Sequence, residues 1–327
     1  MKKHILFFVL IILLVCCILT ALASDDDTVG VLTYLNMTEN EYAQYSRAER
    51  TVIRQLISEN AAEITADDEN FISDDPTIVY YDSLNGMLMA LMAEDITSID
   101  VPLSTAAYLC NNSDYLKMPI NFHPDPENTF QQSAYASLED NFSFMLLEGK
   151  EELRGKLNTA ISAMKEDGTL DALIDEYINS MVDSGEIKTV AIEQKDRETI
   201  RVGVTGSLPP MDYIAPDGSF AGFNTAVLAE ISNRLDMNVE LLEVDSIGRA
   251  AALSSGTVDV VFWTRTLTAE QNSHSENDAA FTDEERQVMA DISDIESSIN
   301  LTRGDMPDGT IITESYFSDI NVPVVLR

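Results

Sequence analysis

Short apolar runs alternate along this chain with stretches whose apolar positions recur at helical spacing. TVGVL, from Thr28, reads as a short buried strand, and RTVIRQLISENAAEI carries apolar residues at the three- and four-residue intervals of an amphipathic helix. DDENFISDDP is an acidic loop, and Pro76 opens the strand TIVYY. SLNGMLMALMA predicts a helix, ITSIDVP a strand and STAAYLCNN a second helix. Prolines and polar residues make PINFHPDPENTFQQ a loop, and NFSFMLL alternates as a strand does. EELRGKLNTAISAMKEDG is an amphipathic helix closed by Gly168 as a left-handed cap, and TLDALIDEYINSM is a shorter helix behind it.

Residues 182–198 are polar and mixed in charge and form a linker. The same alternation then resumes: IRVGV strand, FNTAVLAEISNRL helix, NVELLEVD strand, IGRAAALSSG helix, VDVVFW strand. A long polar segment, 269–313, contains the amphipathic piece DEERQVMADISDI and reads as an inserted acidic region. VPVVL closes the chain as a last strand. The two halves echo one another, weakly: Val29-Gly30-Val31 matches Val202-Gly203-Val204, and YYDSLNGMLMAL resembles EVDSIGRAAAL. Alternating β and α elements predict an α/β protein of two lobes, each a mostly parallel sheet flanked by helices. Ligands of such sheets bind beyond the carboxyl ends of the strands, which makes the cleft between lobes the default site.

Charge narrows the partners. With 56 acidic and 20 basic side chains the formal charge is −36, which excludes nucleic acid as an expected partner. At the N-terminus, Lys2 and Lys3 precede the apolar run from Ile5 to Ala23, and Ala21-Leu22-Ala23 fits a cleavage signature. Residues 1–23 are therefore a signal peptide or an uncleaved membrane anchor, and the protein is exported on either reading. Val15 before Cys16 argues against a lipid-modified cysteine, since such signals place a small residue there. Beyond this segment only Cys110 remains, so no internal disulfide is expected; it reads as a small buried hydrophobe.

The stretch GSLPPMDYIAPDGSFAGF, residues 206–223, carries more specific information. Its order of IRVGV strand, Pro209-Pro210, Tyr213, Pro216-Asp217-Gly218 and Gly222-Phe223 before a helix closely resembles the opening lobe of extracytoplasmic solute-binding proteins of the amino-acid-binding family. ALSSGTVDVVFW and SYFSD resemble later parts of the same lobe. TVGVLTYLNMTENEY, YYDSLNGMLMALMA and the AAYL helix are similar to the family's second lobe, and FSFMLLEGKEELRGKLNTAISAMKEDGTLDALIDEYI to its closing segment. The resemblance implies a two-lobed, periplasmic-binding-protein-like fold in which 28–181 is lobe two plus the closing helices and 199–327 is lobe-one-like. That order is the pattern of a circular permutation; a degenerate domain followed by a truncated one is the alternative.

The resemblance also implies a site. An amino acid needs an aromatic wall, donors for its carboxylate and an acceptor for its ammonium. Tyr213 stands where the wall is expected, though a tyrosine packing its own loop is the plainer reading. The donor segment matches TRTLTAEQ: Thr264 and Thr266 keep donor chemistry, Gln271 stands where the family has arginine, Arg265 is a possible replacement, and Trp263 occupies a small-residue position. In the second lobe Pro102 holds the place of the family's carboxylate, with Asp100 two residues earlier, and Asn36 is a modest candidate for anion contact at a helix start. Gln271 and Pro102 both count against a standard α-amino acid.

Catalytic patterns are missing from the sequence, which has no nucleophile elbow, no phosphate-cradling glycine loop and no zinc-like Cys/His spacing. The reading is a non-enzymatic module without cofactor or metal that binds a small polar solute and docks on a membrane permease of an ABC-type transporter. A sensory or interaction module of the same fold, with a degenerate cleft, is the alternative.

Overall fold

The computed structural model describes residues 27–32, 76–119, 127–245, 248–266, 309–327 and a few positions between 282 and 290. The helix expected over 50–64, most of the amphipathic piece 283–295 and the N-terminal apolar run lie outside the described residues.

The apolar runs became strands of one mixed sheet. β1 (Thr28–Leu32), β2 (Thr77–Tyr81) and β3 (Ser98–Pro102) are mutually parallel, with β1 in the middle. β6 (Thr199–Val204), β10 (Asn238–Glu243) and β11 (Val260–Thr266) repeat that arrangement, with β6 in the middle. The Val-Gly-Val echo of the sequence therefore falls on the central strand of each trio. Each trio gains one antiparallel neighbour on its inner side: β5 (Glu139–Leu147) beside β11, and β13 (Phe317–Leu326) beside β3. β5 and β13 then pair with each other, giving the order β10-β6-β11-β5-β13-β3-β1-β2.

The two joining strands are exchanged between the sequence halves. β5 lies among residues 28–181 yet completes the sheet of β6, and β13 lies among 199–327 yet completes the sheet of β1. Their position explains their composition. β5 is buried along both faces from Asp140 to Leu146, so it is a central strand rather than the half-exposed one its alternation predicts. Pro323 sits inside β13 without breaking it. β13 bonds β5 through Phe317–Ile320 and the two-residue β4 (Leu116–Lys117) through Val325–Leu326, and the proline, which has no N–H to give, falls between.

Helices follow the strands. α1 (Leu84–Met92) starts at Ser83, whose hydroxyl accepts from Gly86 N–H, and α2 (Leu103–Asn111) leaves β3 directly. The expected loop 119–132 ends sooner than its polar residues imply. α3 (Thr129–Leu138) begins within it, because Asn128 caps the first turn by accepting from Gln131 N–H at 3.0 Å. α4 (Glu151–Glu166) precedes α5 (Thr169–Ile174). A π-helical turn (Asp175–Asn179) and α6 (Ser180–Ser184) then carry the helix past its expected end at Met181. α7 (Phe223–Leu235) and α8 (Gly248–Ser254) flank the β6 trio. Part of the expected polar insertion is strand: β12 (Thr310–Ile312) pairs with β5.

A single apolar cluster runs through both trios, from Leu84, Ile99 and Val101 to Val202, Phe223 and Val260. Aromatic rings concentrate at the joining strands. Phe144 stacks on Tyr316 with centroids 4.7 Å apart, and Phe317 lies 5.8 Å from Phe142 and 5.1 Å from Phe223. Cys110 is half-buried and burial pushes its thiol up to about 11, so it stays protonated at neutral pH, consistent with a packing role.

Candidate functional site

The strand ends of both trios converge on β5 and β13. Thr264, Arg265 and Thr266 form the last residues of β11, where they pair with Ser143, Phe142 and Asn141. Across β5, Phe142 and Asn141 pair in turn with Phe317 and Ser318, so Thr266, Asn141 and Ser318 form one rung. The next rung of the joining pair sets Asp319 opposite Asp140.

Buried polar groups line this junction. Asp140 Oδ2 accepts from Asn321 Nδ2 at 2.9 Å, and Ser318 Oγ donates to Asn141 Oδ1 at 2.9 Å. Asp319 reaches the helix that leaves β3: its Oδ2 accepts from the backbone N–H of Ser104 at 3.0 Å, in the first turn of α2, while Oδ1 accepts from Ile320 N–H at 2.9 Å. Burial pushes the Asp319 carboxyl up to about 6; the Ser104 hydrogen bonds oppose the shift and the Asp140 charge adds to it. The hydroxyl of Thr105, the next residue of α2, is buried without a hydrogen-bond partner among the described residues.

A second set fixes the loop that leaves β6. Asp212, at the start of β8 (Asp212–Ile214), is 2% exposed, and its Oδ2 accepts three bonds: from Thr205 N–H at 3.0 Å, Thr205 Oγ1 at 2.6 Å and Gly206 N–H at 2.9 Å. Burial raises its pKa, opposed by those bonds and by the charge of Arg249, a fully buried guanidinium on α8. The loop then folds into a small sheet of β7 (Ser207–Leu208), β8 and β9 (Phe220–Ala221). Pro210 and Met211 offer their carbonyls to the first N–H groups of α7, from Phe223 at 3.0 Å and Asn224 at 2.9 Å. Gly222 makes this approach possible. Its φ is 99°, and a Cβ there would lie 2.6 Å from the Met211 carbonyl oxygen.

The residues singled out in the sequence are only partly gathered. Trp263 through Thr266 sit together on β11 at the junction. Asp100 is buried lower on β3, opposite Pro323; from the Ser318 rung that is five residues, roughly 17 Å along the strands. Tyr213 is 7% exposed, packed with Met181, Ala215 and Ala221 and touched by Tyr108, and burial pushes its hydroxyl up to about 12. Asn36 and Gln271 lie outside the described residues. Sequence reasoning missed Asp212, Arg249, Asp319 and Ser104. Asp212 left a signal, an acid inside the otherwise apolar stretch MDYIA. Among the described residues no His, Cys, Asp and Glu cluster fits a metal ion, and no helix is long and apolar enough to cross a membrane.

Residues 200–292 match the family model of bacterial extracellular solute-binding proteins, family 3. The L-cystine-binding protein TcyJ of Escherichia coli K12 is 29% identical over 94 residues, which are 29% of this chain and 34% of that protein. The chain thus spans about a third of the length of the curated relatives it matches. Among solved structures, the ligand-binding component of an ABC-type import system from Staphylococcus aureus, with zinc bound, aligns at 8% identity over 91% of this chain and 65% of that one, with a TM-score of 0.37. The GluR0 ligand-binding core from Nostoc punctiforme, in complex with L-glutamate, aligns at 10% identity over 91% and 84%, with a TM-score of 0.33. The matched family and relatives are binding proteins, not enzymes. The matched segment, 200–292, begins in β6 and continues past β11, so the similarity to bacterial extracellular solute-binding proteins, family 3, covers less than a third of the chain.

Proposed function

We propose that this chain is the extracytoplasmic binding component of an ABC-type transporter, and that it takes an amino acid or a similar small polar solute where the two strand trios meet. The observation that carries the reading is the family 3 match over β6–β11, the segment that supplies the loop held by Asp212 and the strand end Trp263–Thr266. Thr264, Arg265 and Thr266 would bind the solute's anionic group, with Trp263 shaping the pocket and Gln271 and Asn36 beside it. Tyr213 reaches a solute only after its surroundings move, given its burial. Asp100 enters as a more distant acceptor. The family relationship also supports export, with residues 1–23 as signal or anchor.

The same reading includes a circular permutation. Each trio has the same strand order and one antiparallel strand contributed from the other half of the sequence, as expected if 28–181 and 199–327 are exchanged segments of one two-lobed domain joined by 182–198.

The test is thermal unfolding of the purified protein lacking residues 1–23, against amino acids, small peptides and polyamines. A solute that binds only the folded state adds about 2.7 kcal/mol at a hundredfold excess over its Kd. A raised midpoint that is lost in Arg265→Ala supports the reading. A well-folded protein that no solute stabilises favours the sensory or interaction module instead.

A further inference from the structure

The linker is not a loose tether. Its first residues rest on the β1 trio: α6 packs along α2, Asn111 Nδ2 donates to the Val182 carbonyl at 3.2 Å, and Gly185, with φ 67°, sits so close to Asn112 that a Cβ would run into its Oδ1. Its middle residues attach to the β6 trio. Thr189 bridges Ala221 at the edge of β9, which brings the backbone of Lys188 close to the Tyr213 hydroxyl. Lys188 Nζ turns back to the Glu176 carbonyl at 3.2 Å, in the π-helical turn. A second anchor follows: Gln194 Nε2 donates to the Val239 carbonyl at 2.8 Å, Lys195 N–H to Asn238 Oδ1 at 2.8 Å, and Arg197 pairs with Asp236 at 2.6 Å.

Between the anchors the chain is mostly exposed, with Ile192 alone packed on the core. Val190, Ile192 and Gln194 line an open groove of about 410 Å³ with Phe220, Val239 and Leu241. Segments with few buried contacts open at lower free energy than the core around them. Tyr213 lies at the point where the attachments meet. It belongs to the β6 side, is packed with Met181 of α6 and with Ala221, which Thr189 of the linker bridges, and is touched by Tyr108 of α2.

We infer that residues 185–197 are a strap that latches the two strand trios together through Tyr213, independently of the joining strands β5 and β13. Lifting the first anchor removes the cover from Tyr213 and uncouples α2 from β8 and β9. A solute that reaches the junction would then bind against the strap's closed equilibrium, so the strap sets how often the site is open.

Hydrogen exchange read by mass spectrometry on the purified chain tests this without any ligand, so its outcome is separate from that of the solute panel. Thr189→Pro disrupts the bridge to Ala221. The expected result is exchange about tenfold faster both in β8–β9 and in α2, with β6 and α7 unchanged. Tyr213→Phe keeps the ring and removes the buried hydroxyl beside the Lys188 backbone; exchange about threefold faster in the same two places is expected, and this variant carries the test if Thr189→Pro fails to fold. Faster exchange in β8–β9 alone, or no change in α2 in Tyr213→Phe, would overturn the latch.

Discussion

Asp140 and Asp319 face one another directly across β5 and β13, the two antiparallel strands that join the halves of the sheet. Like charges opposite each other destabilise a strand pair, and these two are buried. Each is offset by its own donor, Asn321 for Asp140 and the Ser104 N–H for Asp319. The cost falls on Asp319, whose pKa is raised by burial to about 6.

The pH dependence follows from that direction. A carboxyl raised in the folded state stabilises most below its unfolded pKa, near 4, and that contribution is lost as pH rises through about 6. Asp319 alone should therefore remove up to about 3 kcal/mol between pH 4 and 7. Burial also raises Glu139, on the adjacent position of β5, in the same sense. Asp319→Asn should flatten this part of the profile, so that wild-type stability minus variant stability falls as pH rises from 4 to 7. Melts of both proteins across that range check it.

The charges of Asp212 and Arg249 are both buried and act on one another. Arg249→Met leaves the carboxylate without its compensating charge, and Asp212→Asn leaves the guanidinium so while also weakening the bonds from Thr205 and Gly206. Each should cost about 3–5 kcal/mol. Urea titrations of both variants check it, and a cost under about 1 kcal/mol for either would contradict the coupling.

Gly222 and Gly218 separate backbone conformation from crowding. Both have positive φ, 99° and 85°, but a Cβ meets the Met211 and Pro210 carbonyls at the first and nothing within 4 Å at the second. Gly218→Ala should cost about 1–2 kcal/mol. Gly222→Ala should cost clearly more, roughly 3 kcal/mol, because the loop must part from the start of α7. Equal midpoints for the two variants would contradict the crowding.

Element types were largely legible in the sequence, because strand and helix patterns here are short but clean. TIVYY, SIDVP, IRVGV and the α4 and α7 segments formed where their periodicity places them. Pairing was not legible. Nothing within NFSFMLL reveals that it lies between β11 and β13, since its partners are remote in sequence and its burial on both faces depends on them. The same limit applies at the site. The loop 206–223 could be recognised from its own residues, whereas the burial of Tyr213 depends on Tyr108 and Met181, and the acid that reaches α2 comes from Asp319, far along the chain.

Trp263 is the chain's single tryptophan and lies on the strand end assigned to the solute. Its emission, titrated with the same solute panel, tests the proposed site most directly. The account predicts a saturable change with at least one solute, lost in Thr264→Ala and Arg265→Ala. Unchanged emission with a solute that raises the melting midpoint would place binding elsewhere and contradict it.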